Sequence, residues 1–216
     1  MAAPQGSQSL GFAEANWVAI PNVPGGFIID KGQKATWVRQ FDVSTRPTWV
    51  QLGQYGQALW DYIVKIYGNS FPTEKTGSRI VATMCYPNNT SEGYTIFQST
   101  IPRGTWRYRI TGDRQKKKEE RTAPRWCRAA YKPISTGADT KLEIHAEDGA
   151  AFLCERAKTT TMGWYELSRM VPYGHNIEGE PPGVIPVCTL GNKRPSCKYV
   201  TRRLHILTAI TRATPQ

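Results

Sequence analysis

One change of period constrains this chain more than any other feature. "RPTWVQLGQYGQALWDYIVKIYG" repeats Leu52, Tyr55, Leu59, Tyr62, Ile63 and Ile66 at helical spacing, with Gly68 as its stop. Two compact apolar runs follow: "SRIVATMCY" (residues 78–86) and "YTIFQSTI" (residues 94–101), joined by the turn sequence "PNNTSEG". The runs read as buried, antiparallel strands. Further along, "HAEDGAAFLCERA" reads as a second helix ending near Thr159–Thr161, and "VIPVCTL" as a buried strand. "GNKRPSCKYVTRRLHIL" reads as a loop and a helix with Pro195 near its first turn and Ser196 as a cap, and "HILTAIT" as a last strand. The order helix, strand, strand, helix, strand, helix predicts an α/β sandwich, one mixed sheet with helices on both faces.

Ahead of the first helix the chain is rich in Gly, Pro and Ser. Short strand candidates, "NWVAI", "GFIID" and "ATWVRQFDV", alternate there with turn chemistry such as Pro24-Gly25-Gly26. Two parts are expected: residues 1–47 as a β-rich extension packing on the core, and residues 48–216 as the main domain. At 216 residues and 39% hydrophobic content the chain suits a single packed core. No apolar run reaches the length of a membrane span, and the start carries neither the basic nor the apolar region of a signal peptide. A monomer without a membrane partner is expected, in a cytoplasm or as part of a delivered toxin. Five cysteines are an odd and sparse set, which argues against a disulfide scaffold and for thiols that bind metal or are buried.

His145-Ala146-Glu147 opens the second helix. A catalytic zinc takes about three protein ligands and leaves a fourth position for water, with an uncoordinated carboxylate nearby to move protons. His145 supplies an imidazole and Glu147 the carboxylate. Cys188 and Cys197 in "PVCTLGNKRPSC" supply two thiols, the second at a helix start where the dipole favours thiolate. The same residues also suit a plain reading: a polar helix start with a first-turn acid, and two buried cysteines.

With "RIVATMCY" and "YTIFQSTIPRG" before it and "CTLGNKRPSC" after it, the "HAED" segment resembles the zinc-dependent cytidine and nucleic-acid deaminase superfamily, most closely its toxin-like and fungal branches. The resemblance covers roughly residues 50–205. It implies a cytidine-deaminase-like three-layer sandwich and one zinc ion per chain held by His145, Cys188 and Cys197. It also implies Glu147 as the proton shuttle for attack on C4 of cytosine. Eight residues separate the two cysteines here, in place of the family's P-C-x-x-C.

The substrate is read from charge. The chain carries 28 basic and 17 acidic residues, a net charge of +11. Ten basic and three acidic residues fall between Arg103 and Arg128, and six basic and no acidic ones follow Glu180. Aromatics are interleaved with the first group: Trp106, Tyr108 and Trp126. On alternating positions, Trp106 and Tyr108 suit a strand that faces the core better than a stacking platform. Lys193, Arg194 and Lys198 lie by the second cysteine. Rings for bases and cations for phosphates suit a single strand. The resemblance implies cytosine over adenine and DNA over RNA; with the charge pattern, the expected activity is conversion of cytosine to uracil in DNA, with single strands favoured, duplexes allowed and RNA left open. Two alternatives stand beside it: a structural nucleic-acid-binding protein such as a viral coat protein, and a free-nucleoside deaminase. His175 is expected in a loop, His205 at a helix end, and Cys85 and Cys154 in the core.

Overall fold

A computed structural model describes residues 17–30, 35–68, 79–88, 93–116, 144–157, 168–175, 179–188 and 197–209. The protein is mixed α/β. Its strands are β1 (Trp17–Ala19), β2 (Gly26–Ile29), β3 (Thr36–Val43), β4 (Arg79–Pro87), β5 (Tyr94–Thr100), β6 (Arg169–His175), β7 (Gly183–Val184) and β8 (Leu207–Thr208). Its helices are α1 (Trp49–Tyr67), α2 (Gly104–Lys116), α3 (Ala146–Ala157) and α4 (Cys197–Arg203). All eight strands form one sheet in the order β1-β2-β3-β5-β4-β6-β7, and β8 joins beside β6. Every pairing is antiparallel except β6 with β8. Strands β1, β2 and β3 therefore continue the sheet, with β3 paired to β5 from Val38↔Ser99 to Val43↔Tyr94.

Side-chain alternation along β4 divides the interior in two. Val81 and Cys85 face α1, packing in clusters with Leu59, Ile63 and Leu52. Ala82, Met84 and Tyr86 face the other way, into a cluster with Trp106 of α2, Phe152 and Leu153 of α3, and Leu204. Helices thus cover both faces of the sheet. Among the described residues no helix is long and apolar enough to cross a membrane.

The helical period and its stop are where the spacing places them. Thr48 and Gln51 form a reciprocal capping box at the start of α1, and Gly68 closes it with φ of 54°. Ile66 is half exposed and lies off the buried stripe. The two internal glycines cost the helix about 1 kcal/mol each in propensity, and packing explains them. A Cβ on Gly56 would stand 2.8 Å from Tyr173 Cβ, and one on Gly53 would stand 2.8 Å from Val184 Cγ2. Their bareness lets α1 approach β6 and β7.

Strand β6, interior to the sheet, corrects the loop reading of His175, which is buried at the strand's end. Pro172 and Gly174 hide the strand in sequence. Pro172 is tolerated because its carbonyl, and so also its nitrogen, points away from β4: the carbonyl accepts from Ile185 N–H at 3.1 Å. The missing N–H is on the same outer edge, so the ladder with β4 loses no donor. "VIPVCTL" is likewise less regular than expected. Only Gly183 and Val184 are strand, and residues 185–188 carry the chain on to Cys188 without a partner strand.

The alternating-strand reading of Trp106 and Tyr108 is overturned by α2. Two residues turn a helix by about 200°, so Trp106 points inward at 1% exposure while Tyr108 points outward at 77%. Trp106 meets Trp17 and Phe152 edge-on at 5.2 and 5.1 Å, tying the N-terminal strands to α3. Asp30 fixes the helix start by accepting from the backbone N–H and the hydroxyl of Thr105 at 2.7 and 2.8 Å.

Candidate metal centre

Topology brings the chemistry to one end of the sheet. Both β5 and β6 run antiparallel to β4, so they run parallel to each other and finish at the same end, near Val81↔Thr100 and Arg79↔His175. The first turn of α3 sits there, with Gly149 against Ser99 and Pro102. α4 links β6 to the parallel β8 and likewise starts at this end, since its far end leads to Leu207, whose N–H bonds Ser168 O at 2.9 Å beside the start of β6. Helices that cross between parallel strands start from the strands' carboxyl ends, which is where open sheets present their sites.

His145 is the residue immediately before α3. Its carbonyl accepts from Asp148 and Gly149 N–H, and its own N–H donates to Asp148 Oδ2 at 2.8 Å. This is the return half of a capping box, with Asp148 fully buried at the third helical position. So held, His145 places Nδ1 3.4 Å from Cys197 Sγ. Cys197 is fully buried at the start of α4. Its N–H donates to Cys188 Sγ at 3.2 Å, while Lys198 N–H donates to Cys188 O at 3.1 Å. Two backbone donors thus bracket Cys188, and the eight intervening residues have no bearing on how close the thiols lie.

The donor atoms of His145, Cys188 and Cys197 all lie within 4.8 Å of one another. Tetrahedral zinc with Zn–S of about 2.3 Å and Zn–N of about 2.1 Å puts sulfur and nitrogen about 3.6 Å apart. The 3.4 Å observed between Nδ1 and Cys197 Sγ fits that geometry. Hydrogen bonding from the Cys197 thiol, aided by His145 and opposed by burial, lowers the Cys188 thiol to about 4. That thiol is therefore ready to ligate as a thiolate. A nitrogen and two sulfurs at this spacing could hold a metal ion.

Glu147 is not among the grouped donors. It is buried at 3% exposure, and its Oε2 finds no hydrogen-bond partner among the described residues. Burial raises its carboxyl above the usual range, the nearby His145 opposes this, and Cys188 adds to it. A buried acid with an idle oxygen beside three candidate metal donors is a group whose burial calls for a functional explanation.

The other expected site residues divide. Trp106 is a core residue at 1% exposure, so its ring is out of reach of a stacking base; this corrects its reading as substrate-binding. Tyr108 and Lys198 are exposed. Trp126, Lys193 and Arg194 lie outside the described residues, as do Pro195, Ser196 and Cys127. Cys85 and Cys154 are core thiols, and burial pushes Cys85 up to about 12. His205 ends α4 in the left-handed conformation, φ 58°. There its N–H bonds Arg202 O and Ile206 N–H bonds Thr201 O, a Schellman closure.

Two supporting residues went unread in the sequence, Asp148 and Gly149. The first carries a legible signal, an acid three residues after a helix-start position. A Cβ on Gly149 would stand 2.9 Å from Ser99 Cβ and 3.0 Å from Pro102 Cγ, and closer still to the Ser99 hydroxyl. Gly149→Ala is expected to destabilise the fold by about 1–3 kcal/mol through overpacking, read as a lower urea midpoint at unchanged m-value. An unchanged midpoint would show that α3 is not seated this closely on β5. Compared with protein-family models, curated proteins and solved structures, the chain matches none.

Proposed function

We propose that this protein is a zinc-dependent deaminase that converts cytosine to uracil in DNA, acting on single strands first. The observation that carries the reading is the convergence of His145, Cys188 and Cys197 beside a buried, uncoordinated Glu147. The layering of α1 on one face of the sheet and α2, α3 and α4 on the other suits the cytidine-deaminase-like sandwich that the function implies.

His145, Cys188 and Cys197 would hold the ion. Zinc in such a site supplies Lewis acidity, which makes water a usable nucleophile near neutral pH. Glu147 takes the proton that the water gives up and passes it to ring N3. It then moves a second proton from the new C4 hydroxyl to the amino group. The C4–N bond breaks, C4=O forms, and cytosine plus water becomes uracil plus ammonia. A carboxyl raised by burial suits both halves of this transfer better than a solvated one. Buried in the stack of a duplex, the base is out of reach, so a single strand or an extruded nucleotide is required.

The test is incubation with single- and double-stranded DNA, sequencing for C-to-T changes, and metal analysis of the same preparation. One zinc per chain together with C-to-T changes is the expected outcome. Metal-free protein that binds DNA and leaves cytosine intact would transfer the chain to the rival class of structural nucleic-acid-binding proteins.

A further inference from the structure

We infer that α4 carries a binding site for the phosphodiester backbone of a single-stranded nucleic acid, with Lys198 and Arg202 contacting two phosphates beside the target base. The placement next to a reacting base rests on the deaminase reading; the binding itself does not.

α4 has two sides. Cys197, Thr201 and Leu204 are buried, and Lys198 and Arg202 are exposed. The two cations are four residues apart, so they stand on one helix face, roughly 6 Å apart along the axis. Both are anchored at the backbone. Lys198, next in sequence to Cys197, donates its N–H to the carbonyl of Cys188, itself a candidate metal donor, at 3.1 Å, and Arg202 O accepts the closing bond from His205 at 3.1 Å. Thr201 adds bonds from its hydroxyl to the carbonyls of Cys197 and Lys198 at 2.9 and 3.1 Å, stiffening the turn between them. The cations are thus presented from a short, pinned element whose first residue is Cys197.

Charge identifies the occupant. After Glu180 the sequence contains six basic residues and no acidic one, so no carboxylate near in sequence competes for these side chains. Arg forks onto phosphate oxygens and Lys acts as a compact point charge. Two such groups in line, beginning beside the metal donors, match consecutive phosphates of a strand better than the single phosphate group of a nucleoside monophosphate.

The experiment measures binding of a fluorescein-labelled oligodeoxycytidine across a salt series. It compares wild type, Lys198→Gln/Arg202→Gln, and Lys65→Glu. The last changes net charge by the same amount at an exposed site on the last turn of α1, across the sheet. Zinc content and thermal midpoint monitor folding. Losing two single-strand phosphate contacts is expected to flatten the log–log salt slope by about 1.4 and to weaken binding about ten-fold at about 0.15 M salt. Lys65→Glu is expected to bind like wild type. An unchanged slope in the double variant overturns the proposal, and so does an equal loss in Lys65→Glu, which would assign binding to net charge alone. Loss confined to the double variant, in a protein that leaves cytosine intact, keeps the α4 site and removes the deaminase reading. Conversion of cytosine by a double variant that binds like wild type does the reverse.

Discussion

Glu147→Gln is expected to keep one zinc per chain and to lower cytosine conversion by roughly 10³-fold or more. The magnitude follows from the work assigned to the side chain: proton transfer by a positioned group contributes about 10²–10⁴-fold, and in the proposed mechanism Glu147 moves more than one proton per turnover. The amide has the carboxylate's shape, so a position buried at 3% exposure is not hollowed out. It cannot accept a proton. The metal donors are untouched, because Glu147 is not one of them. Zinc retention therefore separates loss of the shuttle from loss of the site, and Glu147→Ala should behave alike in conversion. Conversion at the wild-type rate in either variant would take Glu147 out of the chemistry.

Cys197→Ala is expected to lose zinc altogether. Its sulfur is fully buried, lies 3.4 Å from His145 Nδ1, and belongs to the residue whose N–H holds Cys188 Sγ. Removal leaves one nitrogen and one sulfur, too few for a closed or a catalytic zinc site. Structural zinc sites bind with about 10–16 kcal/mol, so one ligand of a small set accounts for several kcal/mol and on the order of 10³-fold or more in affinity. Metal content after dialysis against a chelator should fall from one per chain to none. Wild type should also melt higher with added zinc, by mass action on the folded state, and Cys197→Ala should not respond. His145→Ala should repeat the pattern. Stoichiometric zinc in both variants would place the ion elsewhere in the protein.

Much of the chain could be read from local pattern. The helical period of α1, its stop at Gly68 and the buried hairpin β4–β5 are short-range features. A buried helix stripe and a buried strand impose periods that no other arrangement imposes. The helix opened by His145 and the core positions of Cys85 and Cys154 were legible for the same reason. Where the pattern misled, tertiary context had overruled propensity. β6 is interrupted by Pro172 and Gly174, and Pro172 is harmless because its nitrogen points away from β4. Trp106 alternates with Tyr108 as a strand would, yet a helix turns one inward and the other outward.

The sequence by itself determined which donors were available: one imidazole with a carboxylate two residues on, and two thiols far down the chain. It carried no information on distance. Only the tertiary structure decided that Cys188 and Cys197 lie together despite eight residues between them, since backbone bonds to a sulfur and a carbonyl on Cys188 set their separation. Only the sheet order brought them to His145, because parallel β5 and β6 end on one side and the helices crossing from them begin there. A ligand set is a property of composition, and a metal centre is a property of where crossovers start.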